Sequence, residues 1–431
     1  MNVRSLIEKG FFHLLSVNFL NQFLGFGSIL LVAKFLTPVE LGEIKIVQSY
    51  AALFTVLAGF GLSTAVLKFC AENRTAEDRA GILRYALGRS ALTTALTLLL
   101  LTVLVLTGVI TPERRLALWL LVYALGVIPL AVLTDIYTVF LQALKKIKEM
   151  ARAQALIKGE TFLLIVISTW RWGFRGFIFS TIGAYGAGLL LLLWQVKVRL
   201  RAAAPASPPL YFSQIALFSV LANGLYMLGQ YADIFILDHF LKDRAEIGYY
   251  SLATIFLLAA TQVTATVQSI TTPYFSERAN DEHWFRRQLV KNQGRMAVLS
   301  IAVALAIYGM AWLLIPIVYG PAYQSSLLYL SILLLKYIIF SSYAVIGVAL
   351  LGLGLVRYNF IVVSVATPVG IILSYVLLQR LGISGVAWAQ VCAAVVSLLV
   401  ALWLGARALH KTFAPAPENT AQPGAEKRSE T

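Results

Sequence analysis

Charge is scarce in this chain. Asp, Glu, Lys and Arg make up only 13% of the 431 residues, about half the share found in soluble domains. So few charges cannot cover a water-exposed surface, which excludes a soluble enzyme. Acid is scarcer than base: 20 carboxylates against 35 Lys and Arg leave a formal charge of +15. Cysteine is nearly absent. Cys70 and Cys392 lie in separate apolar stretches, which excludes a disulfide framework and thiolate metal spacing. The four histidines, His13, His239, His283 and His410, fall in unrelated segments. That excludes a Ser/His/Asp set and a His-based metal cluster. No Gly-rich Walker loop is present, so the chain does not hydrolyse ATP itself. What is abundant is apolar: 59% of the residues are hydrophobic and the mean hydropathy is +0.80. These values exclude disorder over the whole length and predict an all-α polytopic membrane protein.

A helix needs about 20 apolar residues to cross the hydrocarbon core. About twelve such runs follow one another, from Phe11–Leu36 and Glu43–Phe69 to Ile383–Leu409. They are too long and continuous for barrel strands. The least apolar is Ala155–Trp170, which begins beside Lys158 and Glu160. The first run lacks a small-residue cleavage site after a short core and reads as a span rather than a signal peptide. With the N-terminus inside, most basic residues fall in inside loops, among them Lys145, Lys146, Lys148 and Arg152, and Arg278, Arg286, Arg287, Lys291 and Arg295. The positive-inside bias therefore predicts cytoplasmic N- and C-termini. The net charge reads as attraction to anionic lipid, with no nucleic acid implied. Trp170, Trp172 and Trp312 mark outer span ends, and Trp194 and Trp403 inner ones.

After the sixth run comes RAAAPASPP at 201–209, a Pro/Ala-rich linker. It divides a six-helix half at 1–200 from another at 210–412, leaving a Pro- and Thr-rich cytoplasmic tail at 413–431 that reads as disordered. The halves share local patterns. FLTPVELG from Phe35 matches FLKDRAEIG from Phe240. Gly173, Gly176 and Trp194 recur as Gly382, Gly385 and Trp403 at one constant offset. Two six-span repeats of equal orientation are related by an axis along the membrane normal.

The segments LVAKFLTPVELGEIKIVQSY and LAGFGLSTAVLKF resemble the start of oligosaccharide flippases of the polysaccharide transporter family. YADIFILDHFLKDRAEIGYYSLA, VYGPAYQSSLLYLSILL and LLQRLGISGVAWAQ agree with the second half of such proteins. The superfamily also contains multidrug and toxin extruders and lipid II flippases. Lipid II flippases usually have fourteen spans; twelve favour the oligosaccharide branch. The resemblance covers about residues 10–410. It implies a non-enzymatic flippase that carries undecaprenyl-pyrophosphate-linked repeat units from the inner to the outer leaflet, for surface polysaccharides such as the O-antigen of lipopolysaccharide. A cation-coupled multidrug or metabolite extruder of the same fold is the alternative. A membrane polymerase fits less well, because every outer loop is short. No cofactor or stable protein partner is implied beyond the lipid-linked oligosaccharide and the bilayer. The sugar and pyrophosphate cannot enter hydrocarbon unshielded, so a central cavity between the halves, open sideways to lipid, should bind them with Lys or Arg and rock between two states.

Lys336 is the leading candidate. An intramembrane lysine costs about 2.5–3.5 kcal/mol on insertion scales and must face a cavity, a carboxylate or water. It is either a ligand for the pyrophosphate or one partner in a structural ion pair. Lys34 and Lys45 flank the first outer turn; both can snorkel outward, and Lys34 is also a cavity candidate. Asn18, Asn21 and Gln22 on span one, and Asn223 and Gln230 on span seven, offer amides for sugar hydroxyls or for interhelical hydrogen bonds. Asp233, Asp135 and Glu160 are candidates for ion coupling. Asp233 can also partner a cavity lysine, and Asp135 and Glu160 can pair with Lys145 or Lys158. Asp238 and Arg175 are read as charges solvated by headgroups. No metal site is expected.

Overall fold

A computed structural model of the chain describes residues 25, 27–196, 210–278 and 281–413. The linker at 201–209, the tail beyond Phe413, and Asn18, Asn21 and Gln22 lie outside the described residues. Among the described residues, regular structure is entirely helical. The first half contains α1 (27–35), α2 (Pro38–Gly59), α3 (Leu62–Ala71), α4 (Ala76–Leu106), α5 (Arg114–Ala143) and α6 (Ile147–Val196). The second contains α7 (Phe212–Phe240), α8 (Arg244–Glu277), α9 (Glu282–Leu314), α10 (Ser326–Gly352), α11 (Val356–Leu381) and α12 (Ile383–Phe413). Ten of these helices are long and apolar enough to cross a membrane. One of the ten, α6, holds two spans joined at Gly173, and α1 is a further, shorter helix among the described residues. The architecture is that of a twelve-span membrane protein in two halves.

Local chemistry explains where the helices begin and break. Thr37 caps α2: its hydroxyl accepts from the Glu40 N–H while the Glu40 carboxylate accepts from the Thr37 N–H at 3.0 Å. With Pro38 at the first helical position, this is a complete capping box. The run Glu43–Phe69, read as one span, is divided. Phe60 and Gly61 take left-handed conformations (φ 46° and 65°) and separate α2 from α3. A Cβ on Gly61 would lie 2.2 Å from the Ala216 carbonyl oxygen of α7, so the bend is where the two halves touch closely. Nothing in the run of apolar residues marks this bend except the glycine.

The repeat read from the sequence has a backbone counterpart. Gly173 breaks α6 at φ 56°, ψ −136°, and Gly382 separates α11 from α12 at φ 61°, ψ −146°. Only glycine takes that region without strain. Three residues on, a Cβ at Gly176 would lie 2.0 Å from the Ser168 carbonyl oxygen, and one at Gly385 would lie 2.1 Å from that of Leu377. The fifth and sixth spans of each half thus fold back through the same two-glycine elbow. Lipid-facing surfaces are apolar: Leu92, Leu96, Leu99, Val103 and Leu106 are exposed along α4. Trp170, Trp172, Trp194, Trp312 and Trp403 are also exposed, at span ends, where aromatic side chains meet the headgroups.

The elbow gives a stability prediction. Gly382→Ala places a side chain in a glycine-only region, a strain of about 1–3 kcal/mol. Its thermal midpoint in detergent should fall by about 1–3 °C. Gly183→Ala, on a helix with nothing within 4 Å of the added Cβ, should match wild type. Equal midpoints for the two variants would show that the elbow is not strained.

Candidate functional site: a cavity between the halves

The helices α2 and α8 cross near their N-termini. A Cβ on Gly42 would lie 2.4 Å from the Arg244 carbonyl oxygen, and one on Gly248 would lie 1.8 Å from that of Pro38. Only two glycines let the backbones meet there. Gly42 and Gly248 end the matching motifs ELG and EIG, so the crossing lies between equivalent positions of the two halves. It seals one end of the molecule.

Below the crossing the halves separate around a cavity of about 1220 Å³. Its wall runs along α8 from Tyr250 to Gln268, about 27 Å at helical rise. Asp233, near the sealed end, is 7% exposed, whereas Asp135 and Lys158, at the far level, are exposed. The cavity is therefore closed at one end and reached from the other. The wall is half polar. Tyr123, Tyr185, Tyr226, Tyr231, Tyr250 and Tyr337 contribute phenols; Gln48, Gln154, Gln230, Gln262 and Gln268 contribute amides. Between them are Phe162, Phe177 and Phe340.

Its charges are three lysines, Lys45, Lys158 and Lys336, and two aspartates, Asp135 and Asp233. Asp233 is held in place: Oδ2 accepts from the Tyr250 hydroxyl at 2.7 Å and Oδ1 from the Ile234 N–H at 2.8 Å. It shares the cavity wall with both Lys45 and Lys336. Lys336 Nζ donates to Gln390 Oε1 at 2.7 Å, and Lys45 Nζ lies 5.5 Å from the centre of the Tyr231 ring. Among the described residues neither lysine is in ion-pair contact with a carboxylate. Asp135 lies near Ser63 of α3. The site thus offers three cations to two acids, within a hydrogen-bonding wall. Among the described residues no group of His, Cys, Asp and Glu could hold a metal ion.

The candidates separate by position. Lys336, Asp233, Asp135 and Gln230 line the cavity. Lys34 is exposed and does not line it, and the half-buried Glu160 is likewise outside the wall. Asn223 is exposed and donates to Ser219 Oγ at 3.2 Å, on α7 outside the cavity. Lys45, expected to snorkel outward, instead lines the wall. It lies two turns inside α2, on the face that also presents Leu41 and Gln48. The signal was available: Thr37-Pro38 starts the helix, and spacings of three and four place 41, 45 and 48 on one face. Asp238, expected to be solvated, is 1% exposed and bonded on several sides. Arg175 stacks over Trp119, 6.0 Å from its ring centre.

The sequence matches the family described as polysaccharide biosynthesis protein over residues 31–328, most of its length. The chain belongs to that family. No curated protein sequence matches it. Among solved structures, the lipid II flippase MurJ in an inward closed conformation aligns with TM-score 0.76 at 17% identity, over 93% of this chain and 90% of that one. An inward-facing multidrug resistance MATE family transporter of the MOP superfamily aligns at 0.72 and 16%, over 91% and 96%. An outward-facing MATE family transporter aligns at 0.61 and 15%, over 93% and 96%. The fold is therefore the one these transporters share.

The accessibility gradient can be measured. In a background without Cys70 and Cys392, Lys158→Cys and Asp135→Cys in the purified protein should react with a water-soluble maleimide at least about tenfold faster than Asp233→Cys. Equal rates would show that the cavity is not sealed beside Asp233.

Proposed function

We propose that the chain is a flippase for a lipid-linked oligosaccharide, carrying an undecaprenyl-pyrophosphate-linked repeat unit from the inner to the outer leaflet for surface polysaccharide assembly. The observation that carries this reading is the composition of the cavity wall, three lysines among phenols and amides. Lysine ammonium groups suit a pyrophosphate, and phenols, amides and hydroxyls suit sugar hydroxyls. The family and the shared fold support the same reading. The excess of cations disfavours positively charged drugs as cargo, because like charges in a poorly screened cavity repel. With both termini in the cytoplasm, as the loop charges predict, the sealed end faces outward and the cavity opens inward. The halves then rock to open the other end, while the lipid tail stays in the bilayer.

Lys336 supplies the test. Lys336→Glu replaces attraction by repulsion and should stop transport. Lys336→Arg keeps the charge but changes its geometry and should retain part of the activity. Lys336→Ala should be weak or dead at normal membrane abundance. The measurement is surface glycan display in a deletion strain carrying each variant, with protein level followed in parallel. Wild-type display from the Glu variant would remove Lys336 from the substrate path. Normal glycan in the deletion strain, with no second flippase present, would reject the function itself.

A further inference from the structure

At the sealed end each half grips the first helix of the other. In one direction the grip is made by tyrosines of the second half. The Tyr319 hydroxyl donates to the Leu30 carbonyl and the Tyr323 hydroxyl to the Leu36 carbonyl, both at 3.0 Å. The Leu36 carbonyl, just past the C-terminal end of α1, is one that the helix leaves unpaired, whereas Leu30 lies within the helix. In the other direction the grip closes on Asp238, near the end of α7. Asp238 Oδ2 accepts from the Thr111 hydroxyl at 2.8 Å and from the Tyr50 hydroxyl at 3.1 Å, both of the first half. Thr111 lies between α4 and α5; Tyr319 and Tyr323 lie between α9 and α10. The connection between the third and fourth spans takes part in the grip in each half, and in the first half Tyr50 of α2 joins it.

The second grip is also charged. Arg244 Nη1 donates to Asp238 Oδ1 at 2.6 Å, and Arg244 Nε lies 3.6 Å from Glu113 of the first half. Thr111 is held at φ 49°, a left-handed conformation that a β-branched residue adopts only when its surroundings impose it. Between the two grips lies the crossing of Gly42 and Gly248.

We propose that these contacts form a two-sided latch that holds this end shut and must release when the cavity opens there. The proposal rests on the alternating access of the proposed flippase. Its chemistry suits a seam that parts repeatedly. An apolar seam would expose its area to water at each opening. The hydroxyl, carboxylate and guanidinium groups that meet across this seam regain water instead. The latch is also tied to the cavity. Asp233 and Asp238 are both on α7, and their partners Tyr250 and Arg244 are both on α8, so a shift of α7 against α8 acts on both sites.

The test uses the full chain without its two cysteines, purified into lipid nanodiscs, with spin labels at Val109→Cys and Lys242→Cys. Both positions are exposed and lie on opposite sides of the seam. The unmodified latch should give one dominant short distance. Asp238→Asn should raise the long-distance population about tenfold, the scale of one charged hydrogen bond lost. Tyr50→Phe and Gly248→Ala should raise it too, and they decide the matter if Asp238→Asn does not fold. Gly88→Ala, with open space around the added Cβ, should not. Wild-type distances from well-folded Tyr50→Phe and Gly248→Ala would overturn the latch, as would a dominant long distance in the unmodified chain. Parallel glycan display separates the two readings. Shifted distances with normal display keep the latch and reject the cargo; unchanged distances with lost display reject the latch alone.

Discussion

Two backbones touch at Gly42 and Gly248, and the rest of the molecule is arranged around that contact. Any side chain at either glycine would overlap a carbonyl of the opposite half, so α2 and α8 approach more closely than ordinary helix pairs, which lie 8–10 Å apart. The close approach puts Lys45 and Tyr250 just beneath the seal, one on each side of the cavity. From there the helices diverge, and the space between them is the cavity. A membrane protein gains little from hydrophobic association between helices, because lipid tails are equally apolar. Small residues at crossings and polar bonds across seams do the joining instead. Both are found here at the sealed end, and the hydroxyl pair Thr64 and Ser219, 2.7 Å apart, joins α3 to α7.

The duplication explains why such a seam is reciprocal. Two halves of equal orientation present the same surface to each other, so whatever one connection does to the opposite first helix, its counterpart can do in return. The partners have diverged. Tyrosines reach backbone carbonyls on one side, while a threonine and a tyrosine reach a carboxylate on the other. The elbows at Gly173 and Gly382 have diverged far less, with φ and ψ within about ten degrees of each other. A backbone conformation open only to glycine leaves little room for substitution.

That contrast also governs what could be read without coordinates. Long apolar runs gave the spans, because hydrocarbon imposes their length. The constant offset of Gly173, Gly176 and Trp194 to their counterparts gave the internal repeat. The bend at Phe60 and Gly61 is marked only by its glycine, because an apolar run can bend without changing its composition. Distance from a run edge is a poor guide to charges where helix geometry matters. Lys45 is close to the outer rim in the sequence, yet its helix starts at Pro38 and turns it into the cavity. Asp238 reads as a headgroup charge because its partners Tyr50 and Thr111 come from distant segments that no local pattern connects to it. Lys336 was legible because a lysine in the middle of an apolar run has few places to go.

The balance of charge in the cavity bears on how the proposed cargo could move. Asp233 shares the cavity wall with two lysines, one from each half. An arriving anion therefore meets a resident carboxylate that repels it as well as two cations that attract it. Repulsion of this kind lowers affinity, and a carrier needs that, since a tightly held substrate is not released. The driving force need not come from the lysines. They belong to the protein and do not cross with the cargo, so they do not cancel the work that the membrane potential does on it. That work is about 2.3 kcal/mol per charge per 100 mV. With the inside negative, it pushes an anion outward. Under the proposed function, the cavity then has only to shield the headgroup, and the latch to choose which leaflet it meets.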